Sequence, residues 1–400
     1  MNIMLIGICG KTNTGKTTFF SSATLVDAEI SNRVFTTIEP NKGVTYVRTK
    51  CPCKAFGKKC NPRDSECKDG VRLIPIKVVD IAGLVPDAHL GRGLGNQFLS
   101  EIMEASALIH VIDASGSSDS NGNAVEPGTH SPQEDIEFFK KEIDYWILGI
   151  LQKAKISKRM DMKHQDIIDL IYKQLSGLGI KLEDIEEAIN ETSFSLDSDD
   201  KYLEFIEVLR KKSKPILVAA NKIDIPGAEE TLKSVKTDSP VIPCCAEAEL
   251  ALRRAEKKGL IKYSPGDSDF EIIEHKSMTE GRQEALDEKH KAALEFVRQL
   301  LKKHGSTGVQ KVIDTAVFDM LEMVVVYPVE NEHKLTDKKG NILPDAFLMK
   351  KGSTALNLAY RVHEDIGKKF ISAVDARTGK SVSADYELKD GDIISIKSGR

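Results

Sequence analysis

Eight residues near the start of the chain, Gly10-Lys11-Thr12-Asn13-Thr14-Gly15-Lys16-Thr17, have the types and spacing to hold a polyphosphate. The two glycines let the backbone turn tightly, so that successive N–H groups converge on one point. Lys16 supplies a cation for the β- and γ-phosphates, and the Thr17 hydroxyl is a ligand for Mg²⁺. Lys11, Thr12, Asn13 and Thr14, with Thr18 just beyond, complete the lining of the turn. Such a loop works only between a strand and a helix N-terminus. The apolar run Asn2 to Ile8 predicts the strand, and Lys16 to Ala23 opens the helix.

A phosphate loop says nucleotide; the base and the reaction are read from later motifs at strand ends. Asp80-Ile81-Ala82-Gly83 follows the strand pattern Ile74 to Val79. Asp80 there can hold Mg²⁺ through water, and Gly83 can offer its N–H to the γ-phosphate. Asn221-Lys222-Ile223-Asp224 ends the apolar run Pro215 to Ala220. A carboxylate at Asp224 accepts from both N1–H and the 2-amino group of guanine, a donor pair that adenine lacks, so it discriminates strongly. The stem of Lys222 can cover the base. Next comes Cys244-Cys245-Ala246, where the Ala246 N–H is placed to reach the guanine O6. In Phe35-Thr36-Thr37-Ile38-Glu39-Pro40-Asn41, Thr37 is the candidate switch threonine for Mg²⁺ and γ-phosphate, with Thr36 its rival. These motifs, in this order, predict a GTPase of the Ras-like class, with Lys16 and Thr37 as its catalytic groups.

The elements that must position these residues follow an α/β alternation. Gly43 to Val47, Ile74 to Val79, Ala107 to Asp113 and Pro240 to Pro243 read as further strands, the third apolar enough to be buried on both faces. Ser115 to Asn123 is a polar loop. Ile136, Phe139, Ile143, Trp146, Ile147 and Ile150 then recur at helical spacing behind a Ser131-Pro132 start. Trp146 is read as packing. Because strands return afterwards, the helical block is an insertion. The expected division is a G domain over 1–127 and 205–265, a helical insertion over 128–204, a helical connector over 266–320 and a strand-rich domain over 321–400. The last contains Met323 to Tyr327, a helix-like Thr354 to Phe370 and a closing strand in Asp390 to Ile396.

The 400 residues exceed one ordinary core. A net charge of -4 exerts no global pull toward nucleic acid or membrane. No apolar run reaches the ~20 residues that a bilayer span needs, and the early strand leaves no room for a signal peptide. A cytoplasmic monomer with no membrane partner is expected. The seven cysteines are a poor disulfide framework for that compartment. Four of them, Cys51, Cys53, Cys60 and Cys67, cluster among Lys54, Lys58, Lys59 and Arg63. They are candidates for a tetrahedral Zn²⁺ site. Disulfides, or plain thiols on an extended hairpin, are the alternatives. The basic residues are either a solvated face or an RNA contact.

The phosphate loop, the Phe35 to Asn41 stretch, Asp80-x-Ala82-Gly83-Leu84-Val85-Pro86 and the glycine-rich Gly91 to Phe98 together resemble the Obg family, specifically its YchF-type archaeal members. The segment from Gly352 through Asp392 resembles a TGS domain. The resemblance covers nearly the whole chain. It implies a P-loop NTPase fold, a Ras-like G domain with a mostly parallel sheet, carrying a helical insertion and a C-terminal β-grasp (TGS) domain. It implies a nucleotide-dependent factor working around ribosomes or RNA. Bacterial and eukaryotic YchF-type proteins are known for an altered base motif and ATP preference; here Asn221-Lys222-Ile223-Asp224 is intact and favours GTP. Cys245 stands where the family usually has serine. Leu84 occupies the position of the water-orienting glutamine of Ras-type enzymes and cannot orient water, which predicts slow hydrolysis. Some GTPases with such a replacement use K⁺ held by a phosphate-loop asparagine, and Asn13 stands there. His89 and Arg92 are read as loop residues. An ATPase of YchF type and a binding scaffold with little catalysis are the alternative readings.

Overall fold

In the computed structural model, residues 4–25, 41–81, 101–154, 164–192, 194, 199–273 and 288–399 are described. Thr36, Thr37, Gly83, Leu84, His89 and Arg92 lie outside them. Contacts divide the chain into two units, one holding the described residues up to 25, 41–43 and 77–312, the other holding 44–76 and 313–399.

The first unit is organised by parallel strands. The strands of its sheet, in chain order, are β1 (Leu5–Cys9), β2 (Lys42–Lys50), β3 (Glu66–Lys68), β4 (Val71–Asp80), β5 (Ala107–Asp113), β6 (Ile216–Asn221) and β7 (Val241–Pro243); β3 is antiparallel to β4, and β3, most of β2 and part of β4 belong to the second unit. The order is β2-β4-β1-β5-β6-β7, with β3 on β4. β1 is parallel to β4 and β5, β5 to β6, and β6 to β7. Every residue of β5 and β6 is buried, as central strands covered on both faces require. Register brings Ile8 beside Asp80 and Asp113 beside Asn221, so the acids and amide that carry the motifs share the carboxyl edge of the sheet.

Helix α1 (Lys16–Thr24) follows β1 directly. The insertion supplies α2 (Pro132–Lys153), α3 (His164–Leu175), α4 (Leu182–Glu191) and α5 (Asp199–Ser213). α2 begins with Ser131 extended and Pro132 in its first turn, where the missing N–H costs nothing. Phe139, Ile143, Ile147 and Leu151 of α2 are sealed against α3, α4, α5 and the sheet, and Trp146 packs beside them as expected. Beyond β6 come α6 (Ala228–Lys233) and α7 (Ala246–Lys257), then β8 (Ile261–Lys262), antiparallel to β9 (Glu271–Ile272). The helical character expected from residue 266 thus gives way first to a short strand pair. It appears in α8 (Glu288–His304), whose Leu294, Val297, Leu300 and Leu301 bury against Leu252, Ile261 and Phe270. α9 (Val309–Thr315) leads into the second unit.

That unit carries β10 (Met323–Val329), β11 (Phe347–Lys350), α10 (Ala355–Val362), α11 (Glu364–Lys368), β12 (Phe370–Asp375), β13 (Lys380–Val382) and β14 (Asp392–Ser398). Its sheet order, β11-β10-β14-β12-β13 with β10 and β14 parallel, is a β-grasp arrangement. Ala355, Leu358 and Ala359 of α10 are buried, the first two in a core with Val326, Met349, Ala373 and Ile394. The single helix expected over Thr354 to Phe370 is two helices. His363 is extended, and its ring accepts from the Asp365 N–H to start the second. Residues 44–76, with the four clustered cysteines, belong to this same unit.

Candidate nucleotide site

The phosphate turn is built by two glycines that admit nothing larger. Gly10 has φ +151°, and a Cβ there would meet the Val111 carbonyl at 2.4 Å. Gly15 has φ +84°, and a Cβ would sit 2.2 Å from Asn221 Nδ2. Gly15 precedes α1 without a side-chain cap, so the first N–H groups of the helix are left for an anion. The Lys16 ammonium pairs with the Asp80 carboxylate, which brings the expected phosphate cation and the expected Mg²⁺ acid together. Thr17 is exposed and Thr18 half-buried in the first turn of α1. Thr14 donates its hydroxyl to the Lys11 carbonyl at 3.0 Å and so closes the turn internally.

Three loop side chains point elsewhere than a phosphate. Lys11 donates to the Ser118 carbonyl at 2.9 Å and pairs with Asp135 at 2.8 Å, nearly buried. Its side chain, expected to line the nucleotide, is engaged within the protein instead. Thr12 donates to the Asn121 carbonyl at 3.3 Å. Asn13, with φ +63°, donates from Nδ2 to the Gly122 carbonyl at 2.7 Å, leaving its Oδ1 without a described partner. The polar loop after β5 therefore braces the phosphate loop along one side.

The base motifs converge on the same edge. Asn221 donates from Nδ2 to the Thr14 carbonyl at 2.9 Å, and its Oδ1 accepts from the Ala246 N–H at 2.9 Å. That N–H was expected to meet a guanine O6; here it is occupied by the side chain that bridges both loops. Asp224 is half-buried, and the Cys245 thiol donates to its Oδ1 at 3.1 Å. The same sulfur accepts from the Ala248 N–H at 3.4 Å and caps α7. Cys245 thus holds both loop and carboxylate, as the usual serine hydroxyl can. Lys222, with φ +65°, donates to Asp113 at 2.8 Å, so its stem is fixed across the site.

Asp113 is a site residue that motif reading passes over. It accepts from the hydroxyls of Ser115, Ser117 and Ser118 at 2.6–2.9 Å besides Lys222. Burial alone would raise its pKa; the Lys222 ammonium and the serine hydroxyls hold it below the usual carboxylate value. An acid closing an apolar strand, followed by Ala-Ser-Gly-Ser-Ser, is the signal in the sequence. His110, on the same strand, stays neutral: burial, then Lys140 and Lys11, lowers its pKa to about 3. Its ring stacks on Phe139 with centroids 4.3 Å apart, a packing role.

The chain matches family models for a 50S ribosome-binding GTPase over residues 5–153, an Obg-like GTPase YGR210-like G4 motif-containing domain over 219–331, and a TGS domain over 335–398. It is 49% identical over 401 residues to an uncharacterised GTP-binding protein of Methanocaldococcus jannaschii, covering 98% of this chain and 99% of that one. It is 31% identical over 267 residues to the ribosome-binding ATPase YchF of Bacillus subtilis, covering 63% and 68%. The crystal structure of a GTP-binding protein from Pyrococcus horikoshii OT3 superposes with TM-score 0.75 at 40% identity, over 99% of this chain and 100% of that one. The Schizosaccharomyces pombe YchF GTPase, at 18% identity and TM-score 0.57 over 99% and 98%, shares the fold. The phosphate turn, the bridged base loop and these likenesses lead to one conclusion: this chain belongs to the Obg-like, YchF-type family of P-loop GTP-binding proteins with a TGS domain.

Proposed function

We propose that the protein binds GTP with Mg²⁺, hydrolyses it slowly to GDP and phosphate, and uses the cycle as a switch on the ribosome or on RNA. The observation that carries the choice of base is Asp224, oriented by Cys245 and set beside Asn221, which is itself tied to the phosphate loop. Both oxygens of a carboxylate so held can face the N1–H and 2-amino donors of guanine. Thr17 and Asp80, with Thr37 from the switch stretch, would hold Mg²⁺, and Gly83 would meet the γ-phosphate. Lys16 would leave Asp80 for the phosphates once the metal takes over that carboxylate. Asn13 has its Oδ1 available and would be a ligand for K⁺, which would supply positive charge against the charge developing in the reaction.

Ribosome binding comes from the names of the bacterial relatives, and a cytoplasmic monomer fits that role. No helix among the described residues is long and apolar enough to cross a membrane. The rival reading, an ATPase, has the same source, since those relatives are named ATPases. Displacement of a fluorescent GDP analogue by GTP and by ATP separates the two. GTP displaces at far lower concentration than ATP in the parent protein, and Asp224→Ala erases the difference. ATP displacing as well as GTP in the parent would sink the assignment of the base.

A further inference from the structure

Four thiols in the second unit come to one point. Cys51 and Cys53 flank the start of a 3₁₀ turn (Pro52–Lys54), Cys67 lies on β3, and Cys60 on the loop between them. Their sulfurs all lie within 4.8 Å of one another, Cys51 with Cys60 and Cys53 with Cys67 at 3.9 Å. A tetrahedral Zn²⁺ about 2.3 Å from each of four sulfurs spaces them about 3.8 Å apart.

Spacing alone leaves metal, disulfides and plain thiols in play; the charge beside the cluster favours an anionic sulfur shell. Arg72, opposite Cys67 in the β3–β4 ladder, is fully buried. Its guanidinium donates to the Ser65 hydroxyl at 3.0 Å and the Leu343 carbonyl at 2.7 Å, and lies 5.4 Å from the Tyr327 ring centre. Its Nε has no partner, and among the described residues no carboxylate pairs with it. An enclosed cation with only neutral partners is costly unless a nearby anion balances it. Two disulfides, or four protonated thiols, would leave Arg72 uncompensated. Four thiolates around Zn²⁺ carry a net charge of -2 and supply that anion.

We propose that Cys51, Cys53, Cys60 and Cys67 hold one structural Zn²⁺ whose thiolate shell is the counter-charge of buried Arg72. The site then acts as a clasp between the cysteine hairpin and the C-terminal chain. Beside it the Asn61 N–H donates to the Ile342 carbonyl at 2.8 Å and the Arg63 N–H to the Pro344 carbonyl at 2.9 Å. Arg63 pairs with Asp345, and Lys58 donates to the Lys334 carbonyl at 2.7 Å. A four-thiolate shell has no open position and so no catalytic role. Its contribution is to fold the hairpin edge on which the 331–345 segment is laid.

The test is elemental analysis of the full untagged chain, purified without chelator, with thiol alkylation followed by intact mass. About one zinc per chain is expected, with four thiols becoming reactive only after chelation. Co²⁺ exchanged into the site should give the intense visible bands of a tetrahedral cobalt thiolate. Cys60→Ser with Cys67→Ser should lose the metal and lower the thermal midpoint. Arg72→Met is the discriminating variant: without its counter-charge the shell should release zinc to a chelator faster, while the metal-to-protein ratio before chelation stays near one. A metal-free chain with four free thiols, or one lighter by a disulfide's hydrogens, would overturn the proposal, and so would an unchanged release rate in Arg72→Met.

Discussion

Asn221 joins two loops, one of them 207 residues before it in the chain and the other 25 residues after it: its Nδ2 donates to the Thr14 carbonyl, and its Oδ1 accepts from the Ala246 N–H, both at 2.9 Å. The phosphate turn and the base loop are therefore held at a fixed separation before any nucleotide arrives. A nucleoside triphosphate bound as proposed would meet both ends at once.

Asn221→Ala should weaken nucleotide binding although its side chain need not touch the nucleotide. It leaves a buried carbonyl and a buried N–H unpaired, each costing about 1–3 kcal/mol. Affinity for GDP, read by fluorescent-analogue titration, should fall at least about tenfold. A variant folded to the parent's thermal midpoint and binding GDP equally well would show that the bridge does not organise the site.

Cys245 makes a paired comparison possible. Serine at 245 keeps a donor for Asp224 and an acceptor for the Ala248 N–H, whereas alanine keeps neither. Cys245→Ser should bind GDP within about twofold of the parent, and Cys245→Ala several-fold more weakly, from loss of one cap and one hydrogen bond worth about 1 kcal/mol each. Equal loss in both variants would assign the effect to sulfur packing instead.

Asp113 gives a pH signature. Its carboxyl is held below the ordinary carboxylate pKa by Lys222 and the serine hydroxyls, against its burial. A group depressed on folding stabilises the native state above its unfolded pKa of about 3.9, and that stability drains away as pH falls through the lower folded value. Urea unfolding at pH 6 should find Asp113→Asn less stable than the parent, and the gap should narrow toward pH 3. A gap constant with pH would mean that Asp113 contributes through shape and not charge.

Potassium dependence can be read directly. GTP turnover in KCl should exceed that in NaCl at equal ionic strength, if Asn13 Oδ1 helps to place a monovalent cation. Equal rates in the two salts remove K⁺ from the scheme and leave the Asn13 contact with Gly122 as a brace.

How far the sequence alone reaches differs by element. The phosphate turn was legible because only glycine tolerates the carbonyl of Val111 and the amide of Asn221 so close to its Cα, and a requirement that strict leaves its mark in residue types. The central strands were legible because β5 and β6 bury both faces and so show unbroken apolar runs. The helix break at His363 was less visible, since it follows from one extended residue and not from a proline or glycine. What only the tertiary structure decided are relationships across long separations: Asn221 with Thr14, Lys222 with Asp113, Lys11 with Asp135, and Arg72 enclosed beside four thiols. Local residue types report local backbone demands. A pairing brought about by strand register carries no such local demand, so it appears only when β5 is laid beside β6, and β3 beside β4.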